Sequence, residues 1–143
     1  MHTSWPVAVL AALTLGGCGA ASSTPALGQS GVTLTALAAL AKSSAAFDGD
    51  SNVTSAEAVL TTERGAGTVM GELDNPTEPV YLVQTQGNFT ANRASVPQTA
   101  TNPPTGNYDV LEVDVKTGQV LGSGIGTADA NLSSLGTVIT LQL

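Results

Sequence analysis

"YDVLEVDVKTGQVLGSGI", residues 108–125, is the stretch on which the fold turns. Leu111, Val113 and Val115 alternate with Glu112 and Asp114. A period of two places the apolar set on one face of a strand and the acids on the other. Lys116-Thr117-Gly118 then supplies a turn, with glycine where a hairpin needs a positive φ. The pattern predicts an antiparallel hairpin with one buried and one wet face.

Working outward, "LGTVITLQL" (135–143) has strand character and is expected to cover a sheet edge. Upstream, "NPTEPVYLVQTQGNFT" (75–90) follows proline punctuation with β-branched and aromatic residues, which predicts a strand over 80–85 or further. "AEAVLTT" (56–62) suits a first strand. Thr62-Glu63-Arg64 opens a short helix with Thr62 as its cap, against the low propensity of Gly65, Gly67 and Gly71. The segment 91–106, "ANRASVPQTATNPPTG", is long for a connection and carries three prolines, so it reads as a binding loop or an irregular insertion. Residues 33–47 place Leu34, Leu37, Ala38, Ala41 and Ala45 at helical spacing, on a face made thin by alanine. The expected fold is α+β: a small antiparallel sheet with one or two helices over 54–143, after a disordered N-terminal tether that includes the short helix.

Three pieces of this region, "TTER", "PVYLVQ" and "VLEVDVKTGQVL", resemble the small PepSY-type domain of secreted bacterial proteins over residues 61–122. Val113, Asp114, Thr117, Gly118 and Val120 fit the last hairpin of that family. The resemblance implies a helix packed on an antiparallel sheet. It also implies a protease-inhibitor or regulatory role, with a secreted protease or its precursor as the partner.

The N-terminal part carries a different kind of information. Val7 to Leu15 is an apolar run bounded by Gly16 and Gly17. It falls far short of the roughly 20 residues of a membrane span and suits the apolar region of an export signal over 1–17. Leu15-Gly16-Gly17-Cys18 resembles the lipobox of bacterial lipoproteins, whose cysteine receives a diacylglyceryl group before the signal is cut away. Cys18 is the single cysteine, so no disulfide within the chain competes for it. Two acyl chains anchor stably where one binds only marginally. Gly19 to Gly31 is uncharged and built of small and turn-forming residues, and reads as a flexible tether. The localisation implied is the bacterial cell envelope, on the outer side of a membrane.

Charge and residue inventory narrow the function. Eleven acids against Lys42, Arg64, Arg93 and Lys116 give a net charge of −7, which disfavours nucleic acid and anionic lipid as partners of the protein surface. The membrane is engaged through lipid on Cys18, and an envelope protein is the expected partner. Beyond the signal there is no histidine and no free thiol, so a Ser-His or Cys-His pair and a His or Cys zinc site are excluded. Carboxylate chemistry remains: Glu112 and Asp114 share a strand face, and two carboxylates suffice for glycoside hydrolysis. The simpler reading makes them the solvent face of the hairpin. "AFDGDSNVTSAE" (46–57) resembles a calcium-binding EF-hand loop through Asp48, Asp50, Asn52 and Glu57. Ala46 stands in place of its first aspartate and Ser51 in place of its glycine, and the other reading is a hydrated connector. No cofactor is implied. The function expected is an envelope binding or regulatory module, against a carboxylate-based hydrolase or a degenerate calcium-binding protein.

Overall fold

The structure, a computed structural model, describes residues 31–71, 76–92 and 102–143. The expected export signal, Cys18 and the tether up to residue 30 lie outside the described residues, as does 93–101 of the long loop. In chain order the elements are α1 (Leu34–Phe47), β1 (Ser55–Thr62), α2 (Glu63–Met70), β2 (Pro79–Thr90), β3 (Thr105–Asp114), β4 (Val120–Gly126), a 3-10 turn (Leu132–Ser134) and β5 (Val138–Gln142). One antiparallel sheet has the order β4-β3-β2-β1-β5. The fold is α+β.

The hairpin forms where the alternation places it. Asp114 organises its turn: Oδ1 accepts from the Lys116 and Thr117 N–H groups at 2.9 and 2.6 Å and from the Thr117 hydroxyl at 2.8 Å. The Gly118 N–H donates to the Asp114 carbonyl at 2.9 Å, with Gly118 at φ 72°. Just inside, the pairs Glu112–Gly122 and Val113–Val120 leave Leu121 as the extra residue of a bulge. The tail also behaves as expected, since β5 pairs along β1 and closes that side of the sheet.

α1 starts at a Thr33 cap, whose hydroxyl accepts from the Ala36 N–H at 3.1 Å. Of its buried stripe, Leu37 and Ala41 lie on the sheet face formed by Ala56, Ala58, Tyr81, Val83, Leu111 and Val113, and Ala45 packs with Val53 and Phe89. Small residues in β1 beneath small residues in the helix allow close approach, which recovers the contact a thin alanine face loses. The helix expected within the tether is therefore packed on the sheet, and Val32, Leu37 and Ala41 join its core. The Val32 N–H donates to the Val115 carbonyl at 3.2 Å and fixes its entry.

The opposite face departs from expectation too. It is covered by α2 and by the β4–β5 connection, with Val59, Ala66, Val80, Leu82, Val110 and Leu132 in a second core. Glu112, expected on a wet face, is 6% exposed. The alternation separates two faces correctly; both are buried because the chain crosses back from β4 to β5 over the second one. α2 forms despite its glycines because it is held at its start. Thr62 caps Gly65 at 3.2 Å, and the Glu63 and Arg64 N–H groups donate to the Glu78 and Pro76 carbonyls. Ala66 and Gly67 form its buried contact with the sheet, and Gly71 in the left-handed region ends it.

Candidate functional site

α2 covers only one end of its sheet face. Along β2, Val80 and Leu82 lie under it, and two residues later the same face carries Gln84 and then Gln86. Cross-strand pairing places Glu57 of β1 beside Gln84, and Tyr108 of β3 beside Gln86. The result is a polar shelf on the open end of the sheet. Asp129 stands over it from the β4–β5 connection, and this concavity of about 150 Å³ is lined by Glu57, Gln84, Gln86, Tyr108 and Asp129.

Gln84 holds the shelf together. Its Nε2 donates to Asp129 Oδ1 at 3.0 Å, and its Oε1 accepts from the Ala130 N–H at 2.7 Å. The Asn131 N–H donates to the same Asp129 oxygen at 2.8 Å, with Asn131 itself at φ 49°. The Gln84 amide first, and the Asn131 N–H second, hold the Asp129 carboxyl below the ordinary aspartate range. Asp129 also borders a second cleft of about 290 Å³ between α2 and β4. Val69, Met70 and Val110 give it apolar walls, and Gly124 and Gly126 leave its floor without side chains. The two concavities meet at Asp129, so a charged acceptor joins a polar shelf to an apolar slot.

The residues singled out from sequence are placed elsewhere. Asp48 caps α1 at 3% exposure, with its Oδ1 buried and without a hydrogen-bond partner, and its carbonyl accepts from the Thr90 N–H at 2.7 Å. Asp50 accepts from the Asn88 and Asn52 N–H groups, each at 3.0 Å, and so ties the α1–β1 turn to β2. Those two donors, Asn88 foremost, hold its carboxyl below the ordinary range. Asn52 is exposed in that turn. Glu57 points to the α2 face, away from α1, because β1 has already begun at Ser55. The four are therefore not wrapped around one point as a calcium loop requires. Among the described residues no three His, Cys, Asp or Glu side chains converge as a metal site. Glu112 is buried beside Met70 and Gly122. Asp114 is committed to its turn, where the Thr117 N–H and hydroxyl are the main causes of its lowered pKa.

The sequence alone does not single out Gln84, Gln86, Tyr108 or Asp129. The available signal was the switch on one face of β2 from Val80 and Leu82 to Gln84 and Gln86, which marks where the covering helix stops. Comparison with protein-family models, curated proteins and solved structures found no match to this chain.

Proposed function

We propose that the chain is a lipid-anchored binding module of the bacterial cell envelope, held by Cys18 and recognising a protein partner through the Asp129 shelf and cleft. The anchor rests on Leu15-Gly16-Gly17-Cys18 after a short apolar run. The observation that carries the binding role is the Gln84–Asp129 clamp. It presents a fixed acceptor between amides, a phenol and an apolar slot, which is recognition chemistry: oriented hydrogen bonds beside a hydrophobic contact. The carboxylates that a hydrolase would use are otherwise engaged, Asp114 in its turn and Glu112 in the second core. The PepSY-like hairpin favours a secreted protease or its precursor as the partner.

Intact-mass analysis of the membrane-extracted protein tests the anchor. A diacylglyceryl-modified Cys18 as first residue is expected, and Cys18→Ala should leave the precursor uncut or release it. Crosslinking in intact cells tests the role: a partner captured by the native chain and lost with Asp129→Ala supports it, and capture indifferent to that change contradicts it.

A further inference from the structure

We propose that β4 is a dimerisation edge: two copies of the chain pair antiparallel through residues 120–126 about a two-fold axis at Ser123, making one sheet continuous across both. β4 ends the sheet, and among the described residues no strand lies beyond it. Its outward N–H and C=O groups are a template for another strand.

The sequence of the edge says which strand. Leu121-Gly122-Ser123-Gly124-Ile125 reads nearly the same in both directions about Ser123. A two-fold contact requires such self-complementarity, because each residue meets its mirror position in the other copy. Gly122 faces Gly124 and Ser123 faces Ser123 in the regular part of the strand, and Leu121, the bulged residue, meets Ile125 of the second copy at its margin. The axis is normal to the sheet, so it preserves faces. Ser123 and Ile125 share the α1 face, through their pairing with Leu111 and Asp109, while Gly122, Gly124 and Gly126 share the α2 face.

Three further observations agree. Val120 and Leu121 are 36% and 46% exposed, two of the three large hydrophobic side chains that stand in solvent among the described residues. Gly124 is not required by the chain's own packing, since a Cβ there meets no atom within 4 Å, yet glycine weakens a strand. Besides leaving the cleft floor bare, glycine opposite glycine at the seam keeps the α2 face clear for two neighbouring connections. Between Lys116 and Asp129 no residue is charged, so an acidic chain meets its copy across a neutral seam. The remaining repulsion is screened beyond about 8 Å at physiological salt. The other edge is less suited: the same operation about Thr140 sets Val138 against Gln142, and Leu141 is already buried.

Sedimentation of the full chain over rising concentration, joined to cysteine crosslinking in a Cys18→Ser background, tests this. Directly opposed residues in an antiparallel pair have Cα atoms about 4.5–5.5 Å apart, inside the disulfide range of about 4.4–6.8 Å. Ser123→Cys should therefore crosslink to itself under mild oxidation. Leu121→Cys should crosslink only when mixed with Ile125→Cys. Ser123→Lys sets like charges face to face and should weaken the dimer by up to about fivefold, with the melting of the exposed-site variant otherwise unchanged. A chain monomeric up to about 1 mM, or a dimer indifferent to Ser123→Lys, overturns the proposal. Amide protection at 120–126 that appears only on adding envelope extract would give the edge to a different protein and overturn it equally. These outcomes stand apart from lipidation; because Ser123 and Ile125 also line the cleft beside Asp129, Asp129→Ala, which should leave the dimer intact, separates this proposal from that site.

Discussion

The Gln84 carboxamide grips the segment that crosses the sheet at two consecutive residues, donating to Asp129 and accepting from Ala130, 45 and 46 positions further along the chain. Gln84 is 5% exposed, and its two hydrogen bonds run from the buried sheet face out to the exposed Asp129 and the half-buried Ala130. A neutral amide is the one side chain of this length that both donates and accepts there. Gln84→Leu should destabilise the protein by about 1–3 kcal/mol, because the part-buried Ala130 N–H loses its acceptor, while Asp129 Oδ1 keeps the Asn131 N–H. Urea unfolding checks the loss, and amide exchange at 129–131 should rise before that of β3.

Acid should loosen the molecule through three aspartates. Asp114, Asp129 and Asp50 all have folded-state pKa values below the ordinary 3.8, each through N–H, hydroxyl or amide donors aimed at the carboxylate. A depressed acid contributes stability that is complete above its unfolded pKa and is lost as pH falls through the folded value. The urea midpoint should therefore be level above about pH 5 and fall below about pH 4. Asp114→Asn should flatten part of that fall while lowering the midpoint at pH 7. A midpoint that rises on acidification would contradict the sign.

The α1 contact should tolerate little growth. Ala41 is fully buried in the same core as Ala56 and Ala58. Ala41→Leu should cost about 1–3 kcal/mol by pushing the helix from the sheet, whatever leucine adds in helix propensity. Thermal unfolding measures it. An unchanged melting temperature would mean that the helix is not pressed on the sheet.

At the chain's entry, Gly31 has φ 78°, and a Cβ there would stand 2.6 Å from the Lys116 carbonyl oxygen. Gly31→Ala should destabilise by about 1–3 kcal/mol. It should speed exchange of the Val32 N–H, which bonds to Val115, more than that of the β2 core.

These sites differ in how far the sequence announces them. The hairpin was legible because Leu111, Val113, Asp114 and Gly118 act through neighbours only a few residues away. The burial of Glu112 was not, since it depends on a connection that leaves β4, passes over the face and joins β1 at the other side. Local alternation contains no term for that cover. The helix at 33–47 was visible as a period, but its place in the core depended on Ala56 and Ala58, small residues that mean little until the helix lies on them. The Asp129 site was illegible for a similar reason. Glu57, Gln84, Gln86, Tyr108 and Asp129 come from four segments with no common spacing, and only the polar turn in the face of β2 hinted at an opening.

The pairing of β5 with β1 has a consequence for how such a chain is made. Residues 55–59 take one of their two neighbours from residues 138–142, so a chain emerging from its N-terminal end holds β1 half-paired until residues 138–142 have appeared. The core under α1 shares this delay, because Leu141 belongs to it. A growing chain thus has no complete sheet to settle into before β5 arrives. That postponement assigns the closing step of folding to residues 138–142, the piece that seals β1 and the α1 core together.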